Sequence, residues 1–382
     1  MIIWILIFSL LIICMALGLI YLISRFYKMP YVKRMGGEKK PARLFWALLP
    51  VLLLCVGLCV FLDSMNMIIC VLHLVVFWFV CDRVNYLIEK KRNKKSGSYL
   101  IGIVSVAITV GYLCVGWYLA HHVWRTEYVI ETDKAVGDFC IVQIADSHIG
   151  TTFDGEGFTA HIRTIQEENP DIVVITGDFV DDDTSREDMI SACRAFRSLK
   201  TKYGVYYAFG NHDKGYYDKG KRGYSGKDLI AELEKNNVRV LQDETVLIDN
   251  RLYLTGRQDR SEKERGTPRA EMDDLVEKLN PDIFTVVLDH QPHDYEAQER
   301  AGVDLVLSGH THGGQLFPIN YVGEWTGEND KTYGWEKRGN TNFVVTSGIS
   351  DWALHFKTGC KSEYVVIKVK EKEKSTRENF RA

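Results

Sequence analysis

The chain has 382 residues, 46% of them hydrophobic, which is long enough for about two or three domains. Its nine cysteines are spread thinly. Six lie in strongly apolar runs, and the other three (Cys140, Cys193, Cys360) form no CxxC pair, which excludes zinc-finger and disulfide frameworks. The net charge of −3 is uneven: residues 1–125 hold 14 Lys/Arg and 4 Asp/Glu (net +10), and residues 126–382 hold 33 and 46 (net −13). An acidic second part argues against a nucleic acid as the main ligand.

Residues 2–23 form an uninterrupted apolar run. As a helix it would reach about 33 Å, the thickness of a bilayer core. It lacks a positive n-region and exceeds the length of a signal h-region, so it reads as a retained membrane helix. Residues 44–62, 65–81 and 99–120 read as three further spans. Together they give a transmembrane region over 1–122 and a linker over 123–137. The third span is short and holds His73. With no acidic residue inside the spans, His73 reads as a helix–helix contact. Seven Lys/Arg lie between spans one and two and six between spans three and four, whereas the N-terminus and the Asp63-Ser64 turn have none. The positive-inside rule puts both basic loops in the cytoplasm and everything after Ala120 outside.

From residue 138 short apolar runs alternate with amphipathic ones. Residues 139–145, 172–176, 205–209, 284–288, 303–307, 343–346 and 364–369 read as strands, and 157–168, 186–199, 227–235 and 269–279 as helices. Residues 246–248 and 252–255 read as a hairpin. The alternation indicates an α/β domain over 138–370, followed by a charged tail over 371–382.

Polar residues cluster just after these strands. Asp146-Ser147-His148 follows the first, Gly177-Asp178 the second, and Gly210-Asn211-His212-Asp213 the third. Asp289-His290-Gln291-Pro292 follows the fourth. The fifth leads into residues 308–315, Ser-Gly-His-Thr-His-Gly-Gly-Gln, whose glycines let backbone approach whatever His310 and His312 face. Ligand sites in open α/β sheets lie at the carboxyl ends of strands. Each block alone has a bland reading as a turn, cap or loop. Five in this order point to one site. Oxygen and imidazole donors without thiolate suit two divalent ions (Mn, Fe or Zn). Such a pair clamps the oxygens of an in-line displacement at phosphorus and lowers the pKa of a water molecule.

The blocks D-x-H, G-D, G-N-H-D, H and G-H-x-H resemble the signature of the calcineurin-like metallophosphoesterase superfamily. The H-x-P and S-G-H-T-H-G-G-Q forms are similar to its membrane-associated bacterial phosphodiesterase branch. The resemblance covers roughly residues 138–369 and leaves the first 120 unaddressed. It implies a four-layer sandwich of two mixed β-sheets flanked by helices. It also implies Asp146, His148 and His312 around a first metal, Asn211, His290 and His310 around a second, and Asp178 bridging them. By the same resemblance His212 lies beside the leaving oxygen as general acid or charge stabiliser. Asp181 orients it, with Asp213 as the rival for that role. Lys357 and Ser362-Glu363 stand where this branch often has Arg and a Pro-Glu pair, a departure that touches substrate contacts rather than the ligand set.

The expected function is therefore a membrane-anchored, dinuclear-metal phosphohydrolase, by analogy a phosphodiesterase, in which a metal-activated hydroxide attacks phosphorus in line. The expected location is the cell membrane, multi-pass, with the catalytic domain extracytoplasmic. The expected partners are the bilayer and a phosphoester: a lipid headgroup, an envelope polymer or a nucleotide. The alternative is a non-catalytic metal-bound sensor signalling through the membrane helices, although every ligand and His212 are present. The loops 215–226 and 320–340 are candidates for specificity. His121, His122, His161 and His355 match no motif and read as structural.

Overall fold

The computed structural model describes residues 2–93, 98–218 and 220–372. The chain separates into two compact units that meet at Trp117 and Tyr118. From 373 onward the expected charged tail lies outside the described residues, as does Lys219 within the 215–226 loop.

The first unit is helical: α1 (Ile2–Tyr27), α2 (Pro30–Gly36), α3 (Lys40–Phe61), α4 (Ser64–Arg92) and most of α5 (Ser98–His121). Four of these are long and apolar enough to cross a membrane: Ser9–Tyr27, Lys40–Phe61, Ser64–Arg92 and Leu100–His121. Much of their apolar surface is exposed, as lipid-facing helices require. Asp63 separates α3 from α4. Its Oδ1 accepts from the Met65 and Asn66 amides at 2.7 and 2.9 Å and caps α4. α4 runs to Arg92, well past the expected end of the third span at residue 81, because helix-forming polar residues continue it. His73 bonds its own helix through the Ile69 carbonyl (2.8 Å) and packs on the Tyr112 ring of α5 (5.5 Å). Arg25 of α1 pairs with Asp82 of α4 at 2.7 Å.

In the second unit the strands are, in chain order, β1 (Trp124–Thr132), β2 (Phe139–Ile144), β3 (Ile172–Thr176), β4 (Val205–Ala208), β5 (Val238–Val240), β6 (Glu244–Ile248), β7 (Leu252–Gly256), β8 (Phe284–Leu288), β9 (Leu305–Ser308), β10 (Gly334–Arg338), β11 (Thr341–Val345) and β12 (Glu363–Glu371). They form two six-stranded mixed sheets, β1-β12-β2-β3-β4-β5 and β10-β11-β9-β8-β7-β6. β3, β8 and β9 are mostly apolar and buried along their whole length, as parallel strands covered on both faces must be.

One core lies between the sheets, with Ile141, Val174 and Ile367 from the first meeting Leu254, Val286 and Leu307 from the second. A second core packs α6 (Gly155–Gln166), α7 (Arg186–Ala195) and α8 (Gly226–Lys235) on the outer face of the first sheet. A third packs α10 (Met272–Val276) and α11 (Tyr295–Arg300) on the second sheet; α9 (Arg260–Glu264) and α12 (Val322–Thr326) lie in loops. The result is helix, sheet, sheet, helix, the four-layer sandwich expected from the resemblance.

The segment 123–137 is not a linker. Trp124–Thr132 is the edge strand β1, paired in parallel with β12 over nine residues from Trp124↔Glu363 to Thr132↔Glu371. Its residues alternate between half-buried and exposed, and charges occupy the outward positions, as suits a sheet edge. An edge strand with one solvated face carries too few apolar residues to register as a run. The helix expected over 269–279 shrinks to Met272–Val276.

Candidate metal centre

Seven strand ends of the two sheets converge on one side of the sandwich. Asp146 and His148 follow β2, Asp178 follows β3, and Asn211 and His212 follow β4. His290 follows β8, and His310 and His312 follow β9. β7 and β11 contribute Arg257 and the 347–351 loop. Five of the seven expected ligands have left-handed backbone: Asp146 (φ 52°), His148 (36°), Asp178 (50°), His310 (71°) and His312 (49°). That conformation costs a non-glycine residue free energy and recurs where side chains are aimed at a ligand. Gly210 is required by close approach, because a Cβ there would fall 2.2 Å from Asp178 Oδ1.

The structure brings the expected residues together in two groups. Asp146, His148 and His312 offer donor atoms within 4.8 Å of one another, and so do Asp178, His290 and His310. His148 Nε2 and His312 Nε2 are 3.2 Å apart, with Asp146 Oδ1 3.7 Å from the latter. Asp178 Oδ2 lies 3.0 Å from His290 Nε2 and 3.8 Å from His148 Nε2, so one carboxylate faces both groups. Asn211 precedes His212 on the loop after β4 and is buried.

Hydrogen bonds fix which imidazole nitrogens keep a lone pair. His148 Nδ1 donates to Asp181 Oδ2 (3.1 Å) and His290 Nδ1 to the Thr176 carbonyl (2.7 Å). Each Nε2 is thereby left as an acceptor turned inward, the arrangement by which outer partners set the tautomer of a ligating histidine. Among the described residues, Asn211 Oδ1, His290 Nε2 and His312 Nδ1 are buried without a hydrogen-bond partner. His290 Nε2 lies 3.0 Å from Asp178 Oδ2. Buried acceptors facing carboxylates are costly without a cation between them. The donor set of carboxylate, imidazole and amide oxygen therefore fits divalent metal ions.

Burial opposes the charge on His290, but the Asp178 and Asp146 carboxylates outweigh it and raise this imidazole well above its usual range, whereas the two histidines after β9 shift the other way. Burial pushes Asp146 up to about 6 and His310 down to about 3, and it holds His312 well below the imidazole range, so these two histidines are neutral and keep a lone pair for a cation. Burial also opposes the charge on His212, but the carboxylates of Asp178, Asp181 and Asp182 win and raise it to about 9.

Asp181 does more than orient His212. Its Oδ1 is 3.1 Å from His212 Nδ1 while its Oδ2 holds His148. Asp182, which the sequence reading passed over, adds a second carboxylate 3.3 Å from His212 Nδ1. Asp213 is excluded from that role. It is fully buried and accepts from the backbone amides of Asp178, Phe179, Val180 and Gly210. It braces the loops instead.

Lys357 is no substrate contact. It is fully buried, and its Nζ is bound to the carbonyls of Ser347 (2.8 Å) and Ser350 (3.0 Å), to Ser362 Oγ (3.0 Å) and to Asp351 (3.2 Å). The Ser350 amide in turn bonds the Asp146 carbonyl, so this lysine braces a ligand loop. On the second sheet, Asp289 is held by Arg257, Arg269 and Gln298 and fixes the turn into His290. His161 packs on Phe153, outside the centre.

The calcineurin-like phosphoesterase family model matches residues 140–314 of this chain. An uncharacterized metallophosphoesterase of Campylobacter jejuni is 27% identical over 246 residues, 64% of this chain and 62% of that protein. One from Aquifex aeolicus is 33% identical over 201 residues, 51% of this chain and 72% of its own length. A transmembrane protein with metallophosphoesterase domain from Danio rerio is 30% identical over 267 residues, 65% of this chain and 59% of that protein. The chain thus spans about three fifths to three quarters of these relatives. With its two sheets, its converging donor groups and its apolar helices, it belongs to the calcineurin-like phosphoesterase family and carries that family's metal-dependent phosphoesterase domain in a membrane-associated protein.

Proposed function

We propose that the protein is a dinuclear-metal phosphodiesterase anchored by four membrane-crossing helices, with the domain boundary at the end of the fourth. Asp146, His148 and His312 would hold one ion, Asn211, His290 and His310 the other, and Asp178 both. The observation that carries this reading is the position of Asp178 Oδ2, facing the histidines of both groups at 3.0 and 3.8 Å. When bound, the two cations would supply charge neutralisation on the phosphoryl oxygens and a water molecule acidified for attack.

The remaining work falls to side chains. His212 has its Nδ1 fixed by Asp181 and Asp182, which leaves Nε2 as the nitrogen able to face substrate. In the hydrolysis, the oxygen of water bonds to phosphorus, the water proton is released to solvent, and the bond to the leaving oxygen breaks. His212 Nε2 gives its proton to that departing oxygen. Its ring is flanked by Tyr217 at 5.3 Å and Trp352 at 5.4 Å, so the leaving group meets aromatic walls. Asp181 and Asp182 stabilise the imidazolium before the transfer and orient the ring throughout.

The test is metal analysis of the full chain in detergent, combined with a screen of mono- and diesters. The expected result is about two ions per chain and turnover that stops on chelation and returns with Mn, Fe or Zn. Undiminished hydrolysis by metal-free protein would remove the proposal. The catalytic unit is further proposed to face the extracytoplasmic side, on the strength of the two basic loops.

A further inference from the structure

Residues 315–327 leave the metal centre directly from His312 and carry a single charge, Glu324, whose carboxylate is turned inward to the Thr332 amide. The inner side of this segment is fixed. Leu316 and Asn320 are buried, and the Phe317 amide bonds Thr358 Oγ1 at 3.1 Å. The amides of Thr358 and Gly359 bond the Gln315 carbonyl at 2.8 and 2.9 Å. Gly314 (φ 69°) permits the fold-back, since a Cβ there would lie 1.9 Å from the Asn320 oxygen. The outer side is apolar and open. Phe317, Ile319, Tyr321 and Trp325 are between 46% and 72% exposed. Four large apolar side chains exposed within nine residues mark an interaction surface.

Its place in the unit says what covers it. The same 357–362 segment that anchors the loop also holds the last turn of α5. The Ser362 amide bonds the Leu119 carbonyl (2.9 Å), and Ser362 Oγ bonds the Ala120 carbonyl (2.6 Å). Just beyond, Tyr118 is half-exposed and edge-on to Trp124, and the Lys361 ammonium lies 5.3 Å over the Trp124 ring. Aromatic rings with a lysine at the end of a long apolar helix are the residues of a membrane–water interface. The open aromatic face is thus joined, through one short segment, to residues of interfacial type.

We propose that Phe317–Trp325 forms an interfacial element that dips into the headgroup zone of the bilayer, and that the phosphoester delivered to the metal centre is carried on a lipid. This rests on the phosphodiesterase reading for its second half. Trp352, whose carbonyl accepts from the Gln315 side chain and whose ring lies beside His212, links the loop to the reacting end. A lipid phosphate held at headgroup depth then needs no extraction into water to reach the centre.

The experiment uses the full chain in nanodiscs of phosphatidylglycerol and phosphatidylethanolamine. A fluorophore is placed on a cysteine at Trp325→Cys, with Asp133→Cys as the control, in a background cleared of reactive cysteines. Asp133 lies past the far end of β1, about 30 Å along the strand from Trp124, and its side chain is exposed. Doxyl-labelled lipid is expected to quench the probe at 325 and leave that at 133 unchanged. Absence of quenching at 325 overturns the docking. So does a blue-shifted but unquenched probe there, because it means that a second protein surface covers the patch.

The substrate half is read separately with the double variant Phe317→Ser, Trp325→Ser. Its turnover of phosphatidylglycerol in the nanodisc should fall by at least about tenfold, with bis(p-nitrophenyl) phosphate hydrolysis in solution unchanged. Quenching at 325 in a protein that cleaves the soluble diester but leaves the lipid untouched overturns the lipid substrate. A protein that cleaves neither refutes the phosphodiesterase reading, and the quenching result still decides the docking.

Discussion

Asp178 Oδ2 faces histidines of both donor groups. Asp178→Ala should therefore remove metal and turnover together, with activity falling more than the about 10–100-fold typical of outer partners. Metal analysis alongside kinetics checks this, and two retained ions with normal turnover would end the dinuclear assignment. Asp181 and Asp182 separate two roles. Asp181 holds both His148 and His212, so Asp181→Asn should weaken metal binding and lower kcat; Asp182 reaches only His212, so Asp182→Asn should lower kcat with metal content intact. His212→Ala should cost about 10²–10⁴-fold on alkyl esters and less on nitrophenyl esters, whose leaving oxygen needs no proton. An equal loss on both would make His212 a positioning residue.

At this scale most of the residues brought together in the candidate site were legible, because donor residues after strands are spaced in fixed short motifs. Asp182 was hidden in an Asp-Asp-Asp run, where only the turn of the chain decides which carboxylate points at His212. Asp213 sits in the signature itself, yet its burial among four backbone amides could not be read from a linear neighbour.

Among the elements, the apolar parallel strands were readable because both faces are buried and each becomes a solid run. β1 was not, since an edge strand with one wet face looks like a linker. The segment after β11 holds a second feature that sequence alone obscures. Lys357 stands where an arginine was expected to touch substrate, but its ammonium is buried against three oxygens and Asp351. Lys357→Met would leave Asp351 as a buried, unpaired carboxylate. Removing one partner of such a pair costs about 3–5 kcal/mol, and thermal melting of the full chain should show a clearly lowered transition. Lys357→Met with Asp351→Asn should recover part of the loss, since both charges are then gone. A variant that melts normally but fails with one class of substrate would return Lys357 to a substrate role.

For the whole molecule the open matter is the side of the membrane, which decides what the centre can reach. Thirteen Lys/Arg fall between residues 25 and 43 and between residues 83 and 95, and the segments at the N-terminus and around Ser64 have none. Each such charge at a helix centre costs about 2.5–3.5 kcal/mol on insertion scales, and the asymmetry of basic residues in short loops is the usual arbiter of orientation. Four crossings with both basic segments inside leave the catalytic unit outside. α4 is the helix on which this count depends. At 29 residues it is long enough to cross, and its last turn carries Lys90, Lys91 and Arg92. Were α4 to lie along the surface, three crossings would put the second basic segment outside and the catalytic unit in the cytoplasm. Single cysteines at Ser64, Asn93 and Asp133, probed on intact cells with an impermeant thiol reagent, distinguish the two. The four-crossing arrangement requires labelling at 64 and 133 and protection at 93. Protection of 133 until lysis would place the metal centre in the cytoplasm, and its lipid substrate would then have to come from the inner leaflet.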